Sequence, residues 1–208
     1  MNKISFSQLE RARQNPIAFA KSLADDKGGT GRYSKYMAWQ NSVFHYHKNR
    51  GDLAKAIKYF ESTFLKNFAD NAANQVERED WILELQAYTK DETKKRLTYV
   101  EHKKRLSIAM NSELRLGGEL PLIKMNNKGG YSVYFFSRDD NEWEDELRFP
   151  ILQSYIATTL YNVALNEVEV GVYSIPKQKH LQRSYSRKEV RIALDELDEV
   201  GSQIASAL

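Results

Sequence analysis

The chain has 208 residues, no cysteine and a formal net charge of +3 at pH 7. A chain of that length can bury one substantial core, and the missing cysteine excludes disulfides, zinc–thiolate sites and thiol nucleophiles. The opening MNKISFSQLE has no apolar run of signal-peptide length, and no later segment reaches the roughly 20 apolar residues that span a bilayer. We therefore expect one cytoplasmic domain over residues 1–208, without membrane contact.

The first part of that domain, residues 1–92, is predicted to be helical. Capping residues and apolar spacings of three and four predict five helices, which lie near Ser7, Asn15, Tyr33, Leu53 and Trp81. The glycine-rich residues 25–31 predict a flexible break between the second and third helices. The sequence GGTGR in this break lacks the spacing and the Gly-Lys-Ser/Thr ending of a phosphate-binding loop.

The hydrophobic period changes near residue 100. Apolar residues alternate at 106–110 and 114–122, which predicts two paired strands, and YSVYFFS after the turn NNKGG predicts the third strand of a meander. Farther along, the pattern predicts a buried helix, a fourth strand and a last helix, at residues 147–163, 168–175 and from Ser186. The expected class is α/β (α+β), with a helical part followed by a core at residues 93–208.

The charges are unevenly distributed along these elements. Residues 1–60 contain eleven Lys and Arg against four Asp and Glu, and residues 94–105 and 177–188 are also basic. Cations neutralise phosphates and aromatic rings stack on bases, so basic segments with aromatic neighbours indicate DNA or RNA as a partner. Solvated helix faces produce the same pattern, and the sequence leaves both interpretations open.

Eight basic residues are the candidates for nucleic-acid contact. Four flank the aromatic residues Tyr36, Trp39, Phe44 and Tyr46 of the third helix, which could stack on bases, and four lie near the cap of the last helix, whose free amides favour an anion. The candidates are Arg32, Lys35, Lys48, Arg50, Arg183, Arg187, Lys188 and Arg191. His45 and His47, two residues apart on a helix, point to different faces and are not expected to share a metal ion.

Five segments resemble the motifs of one known family. They are ISFSQLERARQNPIAFA, LGGELPLI, YSVYFFS, ELRFPILQSYIATTLY with Gln153 and Tyr155, and VEVGVYSI. Their order is similar to that of the RecB-type branch of the PD-(D/E)XK nuclease superfamily: an opening helix, a strand with Gly and Asp, a strand with Asp-x-Lys, a helix with Gln and Tyr, and a closing strand. The resemblance covers most of the chain and implies that fold.

The residues that such nucleases use for catalysis are replaced. In that family two acids hold divalent ions and a lysine orients or activates the attacking water. Counting from Gly118 as the motif glycine, these positions fall on Pro121, on Tyr134 or Phe135, and on Phe136 or Ser137. The resemblance implies the fold, and these replacements favour a catalytically inactive protein without a cofactor. We expect it to bind nucleic acid or to be a structural subunit of a complex in phage defence, recombination or repair.

Two alternatives remain open. Glu119 and Asp139 could act as the ligands of Mg²⁺ or Mn²⁺ in a migrated nuclease site, with Lys124 near the water and Asp140 beside Asp139. Alternatively, the protein binds other protein subunits through an apolar surface and does not contact nucleic acid. Phosphate contacts weaken steeply as salt rises, so salt dependence distinguishes nucleic-acid binding from this second alternative.

Overall fold

The computed structural model describes residues 2–25, 32–139 and 142–208. In these ranges the chain forms one mixed sheet of six strands and seven α-helices, which confirms the mixed α/β class. The strands are Asn2–Ser5 (β1), Thr98–Ala109 (β2), Leu114–Met125 (β3), Tyr131–Ser137 (β4), Val168–Ser174 (β5) and Lys179–Arg183 (β6). The helices are Phe6–Gln14 (α1), Pro16–Asp25 (α2), Lys35–Lys48 (α3), Leu53–Asn67 (α4), Ala72–Lys95 (α5), Arg148–Tyr155 (α6) and Arg187–Ala205 (α7).

Strand β3 is the centre of the sheet. Strand β2 pairs antiparallel along one side of β3, whereas β1 and β4 pair with different parts of it, at Leu114–Gly117 and Leu122–Met125. Strand β5 runs parallel to β4, and β6 returns antiparallel to β5. The predicted meander of β2, β3 and β4 is therefore present. Two short strands, β1 and β6, were not predicted.

The helix boundaries follow local capping chemistry. Asn15 caps α2, because its side-chain oxygen accepts a hydrogen bond from the Ala18 amide at 3.0 Å. Ser186 and Glu189 form the predicted capping box of α7. At α1 the prediction was wrong by two residues, since Ser5 caps that helix with Gln8. The buried helix predicted to reach residue 163 is helical only to Leu160, with a π-helical end over Ile156–Leu160.

Helices cover both faces of the sheet. Helices α1, α2, α6 and α7 pack on one face and form the first core, which includes Ile4, Leu116, Leu152 and Leu197. Helices α3, α4 and α5 cover the other face and form the second core, in which aromatic side chains predominate. Gly118 is needed on the first face, because a Cβ atom there would lie 2.1 Å from the Phe6 ring. None of the helices in the described ranges is long and apolar enough to span a membrane.

Helix α5 differs from its neighbours because the face it buries is partly charged. Its buried residues recur at helical spacing and are Glu84, Leu85, Tyr88, Thr89 and Glu92. These side chains therefore lie against the sheet, on the same side as the second core. A carboxylate buried at such a position requires hydrogen-bond donors from its neighbours, and the sheet supplies them.

Candidate functional site

A cleft of about 280 Å³ opens where α3 and α5 end and β2 begins. Its lining includes two exposed arginines, Arg50 and Arg96, and the buried side chains of His47 and Glu92. Tyr99 of β2 completes one wall. The cleft thus has cations at its mouth and a carboxylate and an imidazole at its floor.

Both arginines of the mouth have unusual backbone conformations. Arg50 has φ 58° in the turn between α3 and α4, and Arg96 has φ 51° as the residue that ends α5. A left-handed conformation costs a residue other than glycine about 1 kcal/mol or more. In the turn between α3 and α4, which contains Arg50, the amide of Gly51 (φ 82°) donates to the Tyr46 carbonyl at 2.9 Å. The backbone is therefore left-handed at both residues that supply the cations of the mouth.

Glu92 at the floor accepts hydrogen bonds from several elements at once. The Nζ of Lys124, on β3, forms an ion pair with Glu92 Oε1. Tyr134 of β4 donates its hydroxyl to Glu92 Oε2 at 2.8 Å, and Tyr88 donates to the same oxygen at 3.2 Å. His180 Nε2, from β6, lies 3.5 Å from that oxygen. Side chains from two strands and from its own helix therefore fix the carboxylate in position, whereas Nε2 of His180 has no hydrogen-bond partner among the described residues.

Two histidines complete this buried cluster. The Nδ1 of His180 donates to Asp91 Oδ2 at 2.7 Å, and its backbone amide donates to the same oxygen at 2.9 Å. His47 Nε2 lies 2.6 Å from the Tyr88 hydroxyl. Burial lowers the pKa of both imidazoles, and lowers that of His47 well below its ordinary value of 6.5. Neutral His47 can donate to the Tyr88 oxygen, because the Tyr88 proton is directed at Glu92.

Lys124 is the buried cation of the cluster. Its side chain is 1 % exposed. Burial lowers its pKa to about 8, because desolvation outweighs the attraction of Glu92. An apolar pair of similar volume is often as stable as a buried ion pair, or more stable, so the presence of the pair is weak evidence of a purely structural role. We name Lys124, Glu92, Tyr88, Tyr134, His47, His180 and Asp91 the buried polar cluster.

A second cleft of about 240 Å³ lies beside the first, between α3, α4 and β2. The Tyr99 hydroxyl, in the first cleft, lies 2.5 Å from Nδ1 of His102, which lines the second. The second cleft is also lined by Lys48 and Lys103 and by the stacked rings of His45 and Tyr59, whose centroids are 4.5 Å apart. The two clefts therefore adjoin along one surface.

Four exposed cations surround the two clefts: Lys48, Arg50, Arg96 and Lys103. We name this set the basic face. Lys48 and Arg50 were predicted from the sequence, and the structure brings them next to two residues of the basic segment 94–105. Within the described parts of the chain, none of the four forms an ion pair, and the Nζ of Lys103 donates to the Asn41 side chain at 2.9 Å. The charge of this face is therefore available to an anionic ligand.

The other predicted basic residues lie elsewhere. Arg32 is exposed before α3, whereas Lys35 is bound to Glu77 at 2.7 Å. Arg183 forms an ion pair with Glu189 and lies over the Tyr185 ring at 4.3 Å. The remaining three, Arg187, Lys188 and Arg191, are exposed on the first turns of α7. They form a separate basic patch, which we name the α7 patch.

The predicted stacking platform of α3 is largely core. Trp39, Phe44 and Tyr46 are buried in the second core, and Tyr36 packs against it while donating its hydroxyl to the Phe136 carbonyl at 3.1 Å. The half-exposed rings that border the basic face are instead those of His45 and Tyr59. Aromatic count alone does not distinguish a stacking surface from a core.

The three residues of the alternative nuclease site have different surroundings. Glu119 is exposed on β3 opposite Arg105 of β2, and Asp139 is exposed beyond the end of β4. Lys124 is buried with Glu92. In the described part of the chain no hydrogen bond or ion pair joins these three, and no group of His, Asp and Glu there could hold a metal ion. Asp140 lies outside the described residues.

Glu92, Asp91 and His180 were not predicted from the sequence. One signal was present: Glu84, Tyr88 and Glu92 recur at intervals of four beside the apolar Leu85, which places polar side chains at the buried edge of a helix. Their partners on β3, β4 and β6 carry no corresponding pattern. No protein-family model and no curated protein sequence matches this chain.

Proposed function

We propose that this protein binds nucleic acid through the basic face, on a catalytically inactive core of the RecB-like PD-(D/E)XK type. One observation carries the proposal. Four exposed cations, which form no ion pair with any residue that the structure describes, come from two segments far apart in sequence, and folding brings them to one surface beside two clefts. Positive charge that is exposed and unpaired attracts phosphates and releases their counterions.

The shape of the basic face favours single-stranded nucleic acid or an unpaired end. Narrow clefts flanked by cations admit a strand, and the half-exposed rings of His45 and Tyr59 can stack on bases. A duplex presents phosphates but keeps its bases stacked inside, so only the exposed cations would contact it. We therefore expect a single strand to bind more tightly than a duplex of the same length.

The proposed inactive core is supported by the elements that follow α5. The meander, α6, β5 and α7 occur in the order that the resemblance implies. At two of the motif positions, Pro121 and Tyr134 are buried, and the Tyr134 hydroxyl donates to Glu92. A role as a subunit of a phage-defence, recombination or repair complex would use the basic face to hold the nucleic acid while a partner performs the chemistry.

Fluorescence anisotropy with labelled single- and double-stranded DNA and RNA, over a series of salt concentrations, tests the proposal. The double variant Arg50→Glu/Arg96→Glu should lose most binding at moderate salt, because it reverses the charge at the mouth of the first cleft. Arg187→Glu/Lys188→Glu is the matched control, since it changes the same charge on the α7 patch. Retained binding in the first variant together with loss in the second would overturn the assignment of the basic face.

The same samples, incubated with Mn²⁺ or with EDTA, test the alternative metal-dependent nuclease. The proposed inactive core predicts that the oligonucleotides stay intact in both. Cleavage that requires Mn²⁺ and is abolished by Glu119→Ala would replace the inactive core by a migrated site at Glu119 and Asp139. If no oligonucleotide complex forms even at the lowest salt concentration, the result would favour the protein-interaction alternative.

A further inference from the structure

We propose that the first cleft takes one unstacked nucleotide of the bound strand, with its phosphate at Arg50 and Arg96 and the edge of its base at Glu92. This inference rests on the proposed function and specifies the ligand of one part of the basic face. It rests on how charge, volume and hydrogen-bonding capacity are arranged in the cleft.

The groups that line the cleft change with depth from cations to a hydrogen-bond acceptor. Two arginines stand at the mouth, and the carboxylate of Glu92, whose residue is 5 % exposed, lies at the floor. Inorganic phosphate would satisfy the mouth and leave the floor unused. A lysine side chain would suit the floor and be repelled at the mouth. A nucleotide has the required polarity, because its phosphate is anionic and its base has N–H donors at the far end.

The number of hydrogen bonds that Glu92 can still accept limits which bases can bind to it. A carboxylate has about four lone-pair sites. Three are used by Lys124, Tyr88 and Tyr134, so about one remains. An exocyclic amino group of cytosine, guanine or adenine can donate to that site. Uracil and thymine have no amino group, and the one donor on that edge, N3–H, lies between two carbonyl oxygens that the carboxylate would repel. The cleft should therefore prefer bases with an amino group.

The cleft is small. Its volume of about 280 Å³ is just below the roughly 300–1,000 Å³ that small-molecule sites occupy, so one nucleotide can enter it while the rest of the strand stays outside. The floor is also preorganised, because Glu92 is fixed by bonds to β3 and β4 before any ligand arrives. A preorganised floor reduces the entropic cost of binding, so a single nucleotide can bind without the rest of the strand.

Titration of the full chain with cytidine and uridine 5′-monophosphates, cytidine and inorganic phosphate, followed by NMR or calorimetry, tests the proposal. Cytidine monophosphate should bind about tenfold more tightly than uridine monophosphate, the ratio expected from one hydrogen bond to a charged group. Cytidine and phosphate alone should each bind more weakly than cytidine monophosphate. Equal binding of the two nucleotides, or phosphate binding as tight as cytidine monophosphate, would overturn the role of Glu92.

Two variants separate the cleft from the rest of the basic face. Thr93→Trp fills the cleft from the exposed end of α5, so it should abolish nucleotide binding while the protein stays folded. Lys48→Ala, in the second cleft, should weaken oligonucleotide binding more than nucleotide binding. Oligonucleotide binding without any nucleotide binding would reject this inference and leave the proposed function standing. Nucleotide binding without oligonucleotide binding would reject the proposed function and the strand as the source of the nucleotide.

Discussion

Buried polar side chains on the two faces of the sheet have different hydrogen-bond partners. On the first face Gln153, which is fully buried, donates to the carbonyls of Leu165 and Tyr185 at 2.8 and 3.1 Å and accepts from the Tyr185 amide at 2.6 Å. Its partners are all backbone groups. On the second face the buried polar cluster consists of charged or titratable side chains bound to one another, and one of them, Glu92, borders a cleft.

This difference separates a structural role from a functional one. An amide that satisfies backbone groups holds two loops together and needs no charge. A buried ion pair must overcome the desolvation of two charges, and apolar residues would often serve the fold as well. A protein can retain this desolvation cost where one of the buried charges, here that of Glu92, contacts a ligand. The contrast between Gln153 and the buried polar cluster can therefore be tested by removing members of each.

Breaking the ion pair should have the largest effect. Lys124→Ala leaves the Glu92 carboxylate buried without its cation and should reduce the free energy of unfolding by about 3–5 kcal/mol. Urea denaturation measures the change. Lys104→Ala is the matched control on β2, because the Lys104–Glu101 pair is exposed and should contribute less than about 1 kcal/mol. An equal decrease in the free energy of unfolding of the two variants would show that the buried ion pair stabilises the fold no more than the exposed pair does.

The amide on the first face should have the next largest effect. Gln153→Leu keeps the side-chain volume but leaves backbone groups of Leu165 and Tyr185 unpaired, which should reduce the free energy of unfolding by about 1–3 kcal/mol. Oligonucleotide affinity should not change, because α6 lies on the opposite face from the clefts. A loss of affinity without unfolding would contradict the separation of the two faces.

Low pH should destabilise the protein mainly through histidines on the second face of the sheet. The pKa values of His47, His102 and His180 are all lowered, mainly by burial. As the pH falls through 6.5 the unfolded chain binds protons that the native protein does not, so the free energy of unfolding decreases. Each unit of pKa difference contributes about 1.4 kcal/mol.

Thermal unfolding between about pH 7.5 and 5.5 measures this dependence, in the range where His titrates and most carboxylates do not. His47→Gln can still donate to the Tyr88 hydroxyl but does not titrate, so it should flatten the dependence. A dependence as steep as that of the unchanged protein would assign the acid sensitivity to groups other than His47.

The extent to which the sequence predicts these features differs between them. Strand β3 of the meander was predictable because Leu114, Leu116, Leu120 and Leu122 stand at alternate positions, interrupted only by Gly118. Strand β1 has four residues and β6 lies in a basic segment, so neither offers a hydrophobic period. Their pairing depends on partners distant in the chain, on β3 and β5.

The candidate site was predictable only where it depends on local sequence. Charge counting identified Lys48 and Arg50, which are local features of α3 and the turn after it. Their convergence with Arg96 and Lys103 depends on where β2 passes α3, which no local pattern encodes. The contacts of Glu92 with Lys124 and Tyr134 are likewise long-range, so spacing on α5 could indicate only that polar residues are buried.

Removing one charge from the basic face should have the smallest effect on the fold and a defined effect on binding. Lys48 is exposed and has no ion pair in the described part of the chain, so Lys48→Ala should change the free energy of unfolding by less than about 0.5 kcal/mol. If Lys48 contacts one phosphate, the slope of log affinity against log salt should become shallower by about 1.

Arg187→Ala on the α7 patch removes one equally exposed charge, and the slope should then stay unchanged. The pair of variants has the same change in net charge, so a difference between them reports contact and not overall electrostatic attraction. An equal reduction in both would mean that the strand crosses both basic regions. The clefts would then be one end of a longer path, since α7 lies on the opposite face of the sheet from α3.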